Sequence, residues 1–329
     1  MNKRVVLIIK LLLTSIILTY IFIKIPFSDI LKTLFSGNLF LFILALLLTI
    51  PATLLSSFQT KYLTSIQKMS ISFKEILKVY LTASFYSLFL PGTLLGGAVK
   101  WYKFKKHGSK SSAAVVVVFN RYLEVFIVTL IGLLFSIPAL IGSKYTYLLP
   151  VWFIAFLLLF ASYVFLLNAS ALNKIEKIFN KIPSPQAFKR KVRHLFAAMH
   201  EYQNLTLKDH FEILLIMFLY HFLSIISFYL LALSIDVSLS ILVLGWIRSI
   251  VILSSILPIS YSGLGVREGI IIYLFRFYGV PASEALVISL LSFARNLSIP
   301  LVGGIIELKD FLYGKNYKSI EKHASKTMK

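Results

Sequence analysis

The feature that most constrains this chain is a series of apolar runs, each long enough for one helix to cross a lipid bilayer. Uninterrupted runs occupy residues 5–25, 38–58, 114–140, 147–167, 210–235 and 282–306. Hydrophobic residues make up 58% of the chain and charged residues 14%, against about 45–50% and about 25% in a soluble globular domain. The sequence therefore predicts an all-α polytopic membrane protein with about six full spans.

Two further apolar stretches, 76–98 and 238–280, are interrupted by proline and glycine. Proline removes a backbone donor and glycine tolerates positive φ, so both residues favour a break in a membrane helix. Unwound backbone is stable at membrane depth only where it is buried in protein or lines a polar cavity. We therefore predict that both stretches are broken, re-entrant segments.

The charge of the chain is strongly positive, because 34 Lys and Arg residues stand against 13 Asp and Glu residues. The basic residues lie mostly between the apolar runs, a placement typical of cytoplasmic loops that face anionic lipid headgroups. We therefore expect membrane phospholipids with anionic headgroups as partners, and no nucleic acid. The basic segment 168–209 has prolines at its centre and predicts two amphipathic helices on the cytoplasmic membrane surface.

Metal and thiol chemistry have no support in the sequence. The chain contains no cysteine, which excludes disulfides, thiolate metal sites and cysteine nucleophiles. Its six histidines lack the spacing of metal ligands. We predict no metal, no cofactor and no catalytic residue.

The positions of the basic loops predict the topology. Basic residues before the first apolar run place the amino terminus in the cytoplasm. If 76–98 crossed the membrane, the basic run 100–110 would face outward, and a re-entrant 76–98 removes that conflict. For the basic tail 311–329 to be cytoplasmic, 238–280 must enter and leave on the outer side. The prediction is a multi-pass protein of the cell membrane with both termini in the cytoplasm.

This topology makes residues 1–310 a single transmembrane domain with two halves, 1–141 and 146–310, of the same plan and opposite orientation. In each broken segment a proline is followed five residues later by a glycine and nine residues later by a basic residue. Inverted repeats with interrupted helices are a transporter design. An inverted repeat is therefore predicted.

The second broken segment carries the strongest local pattern, with Ser260, Gly263 and Gly265 followed directly by Arg267 and Glu268. Free backbone N–H groups at a helix start, next to an arginine, form a site for an anion such as a lipid phosphate. These residues are predicted to bind a lipid headgroup. The alternative is a simple surface loop in which Arg267 extends to the membrane interface.

Further ionisable residues lie inside apolar runs, where they mark functional sites by default. Arg121 and Glu124 are three residues apart on one helix face, and Arg295 lies deep in its run. We predict that these three residues also face a polar cavity and contact the headgroup. The alternative is that each one forms a pair that ties two helices together.

The first broken segment is predicted to act as a gate. It contains Pro91 and Gly92, followed by Gly96 and Gly97, and the matching break in the second half is at Pro258. The alternative is close helix packing through small residues four apart.

At these motifs the sequence resembles the flippase-like transmembrane domain of lysylphosphatidylglycerol synthases and its stand-alone relatives, the UPF0104 group. The matching pieces are the PG-x-x-x-GG stretch at 91–97, the Asn120-Arg121 pair, and the P-x-S-x-x-G-x-G-x-RE stretch at 258–268. The resemblance covers about residues 1–310. Where many relatives carry an acidic residue before the arginine, this chain has Asn120, which leaves Glu124 to supply a carboxylate.

The resemblance implies lipid translocation or lipid-linked export. In the full-length synthases a cytosolic domain adds the aminoacyl group, and this chain is expected to lack that domain, so a phosphatidylglycerol lysyltransferase label would apply only by analogy. The expected function is a flippase for an anionic or amino-modified phospholipid or a lipid-linked intermediate. A separate lipid-modifying enzyme and a second copy of the chain are further expected partners.

Two other functions stay open from the sequence. One is a non-transporting membrane subunit of glycolipid or cell-surface polymer synthesis. The other is an intramembrane transferase that uses Glu124 or Glu268 as a base.

Overall fold

The structure is a computed structural model that describes residues 3–89, 95–181, 183, 185–256, 260 and 263–327. Every regular element within these residues is helical, which confirms the all-α prediction. The helices are α1 (Lys3–Lys24), α2 (Phe27–Phe35), α3 (Leu39–Leu47), α4 (Thr49–Ile66), α5 (Phe73–Phe89), α6 (Leu95–Phe104), α7 (Lys110–Leu140), α8 (Leu149–Leu167), α9 (Ala169–Lys181), α10 (Gln186–His200), α11 (Leu207–Leu233), α12 (Ile241–Ile256), α13 (Val266–Phe275) and α14 (Ala282–Thr327).

The predicted spans all form helices. Five stretches are long and apolar enough to cross a membrane: Leu39–Ile66, Lys110–Leu140, Thr146–Leu167, Leu207–Leu233 and Ala282–Leu312. A sixth is counted when α1 and α2 are taken together as one bent pair. The polytopic membrane architecture is therefore confirmed.

Proline explains the breaks next to the first two spans. The stretch around Asp29 and Lys32 lies between the first two predicted spans and forms α2, which turns by 81° from α1. Pro26 precedes α2, and its fixed φ suits a helix start, while its missing N–H ends α1. Pro51 lies in the first turn of α4 and has no N–H for the carbonyl of Leu47, so α3 and α4 are separate helices.

Each broken segment forms two helices whose outer ends lie at the same end of the bundle. Before α5 and after α6, a Cβ added to Gly108 would lie 3.0 Å from the Met69 Cγ atom. Near the start of α12, Trp246 Nε1 donates a 3.0 Å hydrogen bond to the hydroxyl of Tyr278, which follows α13. This arrangement agrees with re-entrant segments. The tips at Pro91, Gly92 and Pro258 lie outside the described residues.

The bundle is held together by helix pairs that cross between the halves. The most extensive packing joins α5 to α14, α7 to α12 and α4 to α11. Gly303 and Gly245 allow two of these close approaches, because a Cβ there would lie 2.0 Å from the Leu81 carbonyl oxygen and from Phe135 Cδ2, respectively. Exchanging the two halves of the chain converts the α5–α14 pair into the α7–α12 pair and leaves the α4–α11 pair as it is. The inverted symmetry itself stays a prediction.

The basic segments gather at one end of the bundle. The predicted helix pair within 168–209 appears as α9 and α10, and Gln67 Nε2 donates a 2.7 Å hydrogen bond to the Ala198 carbonyl of α10. Lys78 pairs with Asp310 at 2.7 Å, so the distal part of α14 lies at this end too. The tail after Lys309, expected to fray, continues α14 to Thr327, because residues 311–327 contain no proline and many helix formers. Whether this end faces the cytoplasm stays a prediction.

Candidate functional site

A cavity of about 840 Å³ lies between the first broken segment and the helices around it. Its walls come from α4, α5, α6, α7 and α11. Pockets of about 300–1,000 Å³ are typical for small ligands, so this space has the size of a binding site. It is lined by charged and polar side chains on one part of its wall and by apolar residues on the rest.

The charged part of the wall begins on α7. Arg121 Nη1 donates a 2.5 Å hydrogen bond to Glu124 Oε2, and both side chains are about a quarter exposed, at 29% and 26%. The spacing of three residues places the two groups one above the other on the helix. Arg121 Nε is buried and has no hydrogen-bond partner. The pair therefore leaves donor capacity that a ligand could use.

Lys100 brings a second cation into the cavity from α6. Its Nζ atom lies 4.7 Å from the centre of the Tyr80 ring, and its charge interacts with Glu124. Lys100 makes no ion pair with any residue that the structure describes. Two cations therefore share one carboxylate, and this part of the cavity attracts anions.

Lys100 was not predicted as a site residue, because the whole basic run 100–110 has the composition of a surface loop. A signal was present. Gly96, Gly97 and Lys100 recur at a spacing that puts them on one face of a helix, and that face lines the cavity.

Neutral polar groups complete the charged part of the wall. The Tyr80 hydroxyl interacts with Ser56 and with the Tyr220 hydroxyl. Gln59 is 2% exposed, and its Nε2 atom has no partner. These groups supply donors and acceptors for the polar part of a ligand, and they were not predicted from the sequence.

The apolar part of the cavity opens at the outer surface of the bundle. Val118 lines the cavity and is 68% exposed, and Ala98 on the facing helix is exposed too. A membrane helix presents such side chains to lipid. The arrangement accommodates a molecule with one charged end and one apolar end.

The first broken segment contributes directly to this site. Gly96 and Gly97 line the cavity. A Cβ added to Gly96 would lie 2.2 Å from Ser87 Oγ, so a larger residue at 96 would require the Ser87 side chain to move. Movement of α6 would change the shape of the cavity.

The motif of the second half forms a separate, closed structure. Gly263 and Gly265 have positive φ, at +78° and +82°, and α13 starts directly after them. Glu268 is 2% exposed and accepts from the Gly265 N–H at 2.6 Å, from Arg267 and from Ser289 at 3.2 Å. Neither Arg267 nor Glu268 lines the cavity. Their direct partners in this conformation are protein groups.

Two other predicted residues also lie away from the cavity. Arg295 is 5% exposed and donates hydrogen bonds to Ser227 Oγ at 2.7 Å and to Asn296 Oδ1 at 2.8 Å. Ser260 is 4% exposed, and its hydroxyl has no partner among the residues that the structure describes. The structure thus joins Arg121, Glu124, Gly96 and Gly97 in one cavity and places Ser260, Gly263, Gly265, Arg267, Glu268 and Arg295 elsewhere. In the described part of the chain, no three His, Cys, Asp or Glu residues come together as a metal site.

Comparison with known proteins gives the family. Residues 7–304 match the family described as "Lysylphosphatidylglycerol synthase TM region". A relative named UPF0104 membrane protein MJ1595, from Methanocaldococcus jannaschii, is 27% identical over 324 residues, which cover 93% of this chain and 94% of that protein. The family match spans nearly all of the membrane helices. This chain therefore belongs to the family of the lysylphosphatidylglycerol synthase transmembrane region.

Proposed function

We propose that this protein is a lipid flippase that takes an anionic or amino-modified phospholipid, or a lipid-linked intermediate, into its cavity and moves it between the leaflets of the cell membrane. The observation that carries the proposal is the cavity itself, with Lys100 and Arg121 in one part and an apolar opening in another. The family to which the chain belongs supports the assignment to lipid chemistry.

The charged part of the cavity suits a phosphate group. A guanidinium binds phosphate with two parallel hydrogen bonds, and an ammonium adds a compact positive charge. Glu124 offers an acceptor for an amino group on the same headgroup. An amino-modified headgroup carries both signs of charge, so its phosphate would match the two cations and its amino group would match Glu124.

The apolar opening provides for the lipid tails. Val118 and Ala98 at this opening would let acyl chains stay in the bilayer while the headgroup enters. The headgroup would then cross without a full loss of polar contacts, which is the main barrier to spontaneous lipid movement.

The first broken segment would act as the gate. Ion pairs hold α5 and α6 to α14 at the basic end: Lys103 pairs with Glu307, and Lys78 with Asp310. Opening would need these pairs to separate. We propose that this end faces the cytoplasm, because basic residues are concentrated there.

The test is transbilayer movement of fluorescent phospholipids in liposomes that contain the purified protein. Arg121→Ala and Lys100→Ala should each slow the movement of anionic lipids about 10-fold to 100-fold, the range expected for losing a hydrogen bond to a charged group. The matched controls are Arg276→Ala and Lys32→Ala, since both residues are exposed and lie at the other end of the bundle. These controls should move lipid as the unchanged protein does.

The outcomes separate the proposed function from its alternatives. Absence of movement for every anionic, amino-modified and lipid-linked probe would refute the flippase proposal. A stable complex with a lipid-modifying synthase would then favour the non-transporting subunit. Chemical turnover of a headgroup by the pure protein, lost in Glu124→Gln, would favour an intramembrane transferase.

A further inference from the structure

A second group of cations lies behind the cavity, in the interior of the bundle. Arg248 is on α12 and Arg295 is on α14, and their charges interact with each other. The charge of Arg267 on α13 also acts on Arg295. Tyr220, which lines the cavity, interacts with both Arg248 and Arg295, so the group adjoins the cavity wall.

Nearby carboxylates do not neutralise these arginines. Glu268 is already paired with Arg267, and Glu124, whose charge acts on Arg248, is already paired with Arg121. In the described part of the chain, four guanidinium groups and the Lys100 ammonium therefore share two carboxylates, so the positive charges outnumber the negative ones. Uncompensated charge at membrane depth is costly, and residues that carry it are functional by default.

Much of the hydrogen-bonding capacity of these arginines is unused. Arg248 has no hydrogen bond or ion pair to any residue that the structure describes. Arg295 donates only to neutral groups, Ser227 Oγ and Asn296 Oδ1. A guanidinium has five N–H donors in a planar fork, so the two arginines together have donors available for a further acceptor.

Other buried polar groups around the arginines also have no partner. Ser292 is one helical turn before Arg295, is 5% exposed, and has an unpartnered hydroxyl. His221 is 2% exposed, and neither of its ring nitrogens has a partner. The charges of Arg121 and Arg248 both act on His221, so this residue connects the cavity to the interior group. Buried polar atoms without partners are rare in native proteins.

We propose that Arg248 and Arg295 form an interior binding site for the phosphate ester of a lipid headgroup, between the cavity and the Arg267 motif. The inference rests on the proposed function, because it gives a headgroup that leaves the cavity its next position. Arg121 belongs to the first half of the chain, and Arg248, Arg295 and Arg267 belong to the second. This series of interacting arginines therefore connects the two halves.

The chemistry of the site selects phosphate. Every cation of the interior group is arginine, whose planar fork matches two oxygens of a phosphate and which keeps its charge when buried. The hydroxyl of Ser292 and a ring nitrogen of His221 can donate to the remaining oxygens. An anion bound there would neutralise the excess charge and would stabilise the fold.

The test measures the thermal unfolding midpoint of the purified protein in an uncharged detergent. Dioctanoyl phosphatidylglycerol should raise the midpoint of the unchanged protein, and dioctanoylglycerol, which lacks the phosphate, should not. Arg248→Met and Arg295→Met should raise the midpoint without ligand, because each removes a charge that no carboxylate compensates. Both variants should bind the phospholipid at the interior site about 10-fold to 100-fold more weakly, so the lipid should raise their midpoints less than it raises that of the unchanged protein. Arg276→Met, at an exposed arginine, should behave as the unchanged protein does.

Three results would overturn the interior site. A lower ligand-free midpoint in Arg248→Met and Arg295→Met, with the lipid increment kept, would make both arginines structural. If Arg121→Ala abolished the lipid-induced rise in the unfolding midpoint completely, the lipid would bind in the cavity alone. An equal increment from glycerol phosphate would assign the site to a free phosphate ester and not to a lipid.

The liposome assay separates this proposal from the flippase proposal. If the unchanged protein moves no lipid while the phospholipid increment depends on Arg248 and Arg295, transport is refuted and the interior site stands. If the protein moves lipid but the increment does not depend on these arginines, the interior site is refuted and transport stands.

Discussion

At the scale of single residues, the arginines differ in how their surroundings use them. Arg267 is bound by Glu268, approaches Ser289 Oγ at 3.3 Å, and lies over the Phe293 ring at 5.1 Å from its centre. Arg121 borders an open cavity and keeps one donor unpartnered. The cavity arginine is therefore available for a ligand in this conformation, while Arg267 first has to exchange partners.

Glu268 holds the second motif together, and this makes a prediction for stability. Glu268→Ala would leave Arg267 without its carboxylate and the Gly265 N–H without its acceptor. Removing one partner of a buried ion pair costs about 3–5 kcal/mol, so the thermal unfolding midpoint in detergent should fall clearly. Glu201→Ala is the matched control, because its pair with Lys68 is exposed and contributes about 0–1 kcal/mol. Equal midpoints for the two variants would contradict the structural role of Glu268.

The sequence predicted single residues where their chemistry is local. The contact between Arg121 and Glu124 follows from their spacing on one helix. The pairing of Glu268 with the Gly265 N–H was not predicted, because the sequence assigned Glu268 to a lipid headgroup. Lys100 was not predicted either. Its position in the cavity depends on how α6 packs, and the neighbouring lysines hide it in a run of like charge.

At the scale of helices, the crossed pairs α5–α14 and α7–α12 depend on glycine at their closest points. The backbone of α5 reaches Gly303 at Leu81, and the ring of Phe135 on α7 reaches Gly245. Small residues let membrane helices pack closely, where van der Waals contact replaces the hydrophobic driving force. These two contacts fix α5, the first helix of the first broken segment, and α12, the first helix of the second broken segment.

Gly303→Ala should therefore destabilise the protein. The new Cβ would lie 2.0 Å from the Leu81 carbonyl oxygen, and backbone cannot move aside as a flexible side chain can. Overpacking of this kind costs about 1–3 kcal/mol, which thermal unfolding and the yield of monodisperse protein would both report. The control is Gly269→Ala on α13, where no atom lies within 4 Å of the added Cβ. A Gly303→Ala midpoint at or above the control would show that α5 and α14 do not pack this closely.

Helix boundaries followed from the sequence where proline sets them. The broken segments and the division of 168–209 into two helices were expected from Pro91, Pro258 and the prolines at 183 and 185. The helix α2 was not expected, because its nine residues are too few for a span and their charges suggest a loop. Its Ile30 side chain is 3% exposed, so packing against the bundle stabilises it.

At the scale of the whole molecule, the ends of the helices sort into two layers. One layer holds the ends of α4 and α6 and the helices α9 and α10, with most of the basic residues. The other holds the turn after α2, where the Asn38 N–H donates to the Ser234 carbonyl, and the stacked rings of Tyr145 and Phe277. The positions of the basic residues in the sequence predicted the same grouping of loops.

Membrane labelling would test the orientation of these layers. The chain has no cysteine, so single cysteines can be placed without background. Cysteines in place of Lys105 and Asn180 should react with an impermeant maleimide only from the cytoplasm, and one in place of Ser143 only from outside. Reaction of the 105 variant from outside would contradict the re-entrant assignment of 76–98 and, with it, the inverted repeat.

The sequence by itself determined the spans, the breaks and which loops lie together at one end of the bundle. These properties are local, because they depend on the hydropathy of about 20 consecutive residues, on the missing N–H of proline and on the charge next to each span. Only the tertiary structure decided which charges share a site. Lys100, Arg121 and Tyr220 meet because α6, α7 and α11 pack around one cavity, while Arg267 turns to Glu268. Such contacts depend on helices far apart in the chain, and no local pattern specifies them.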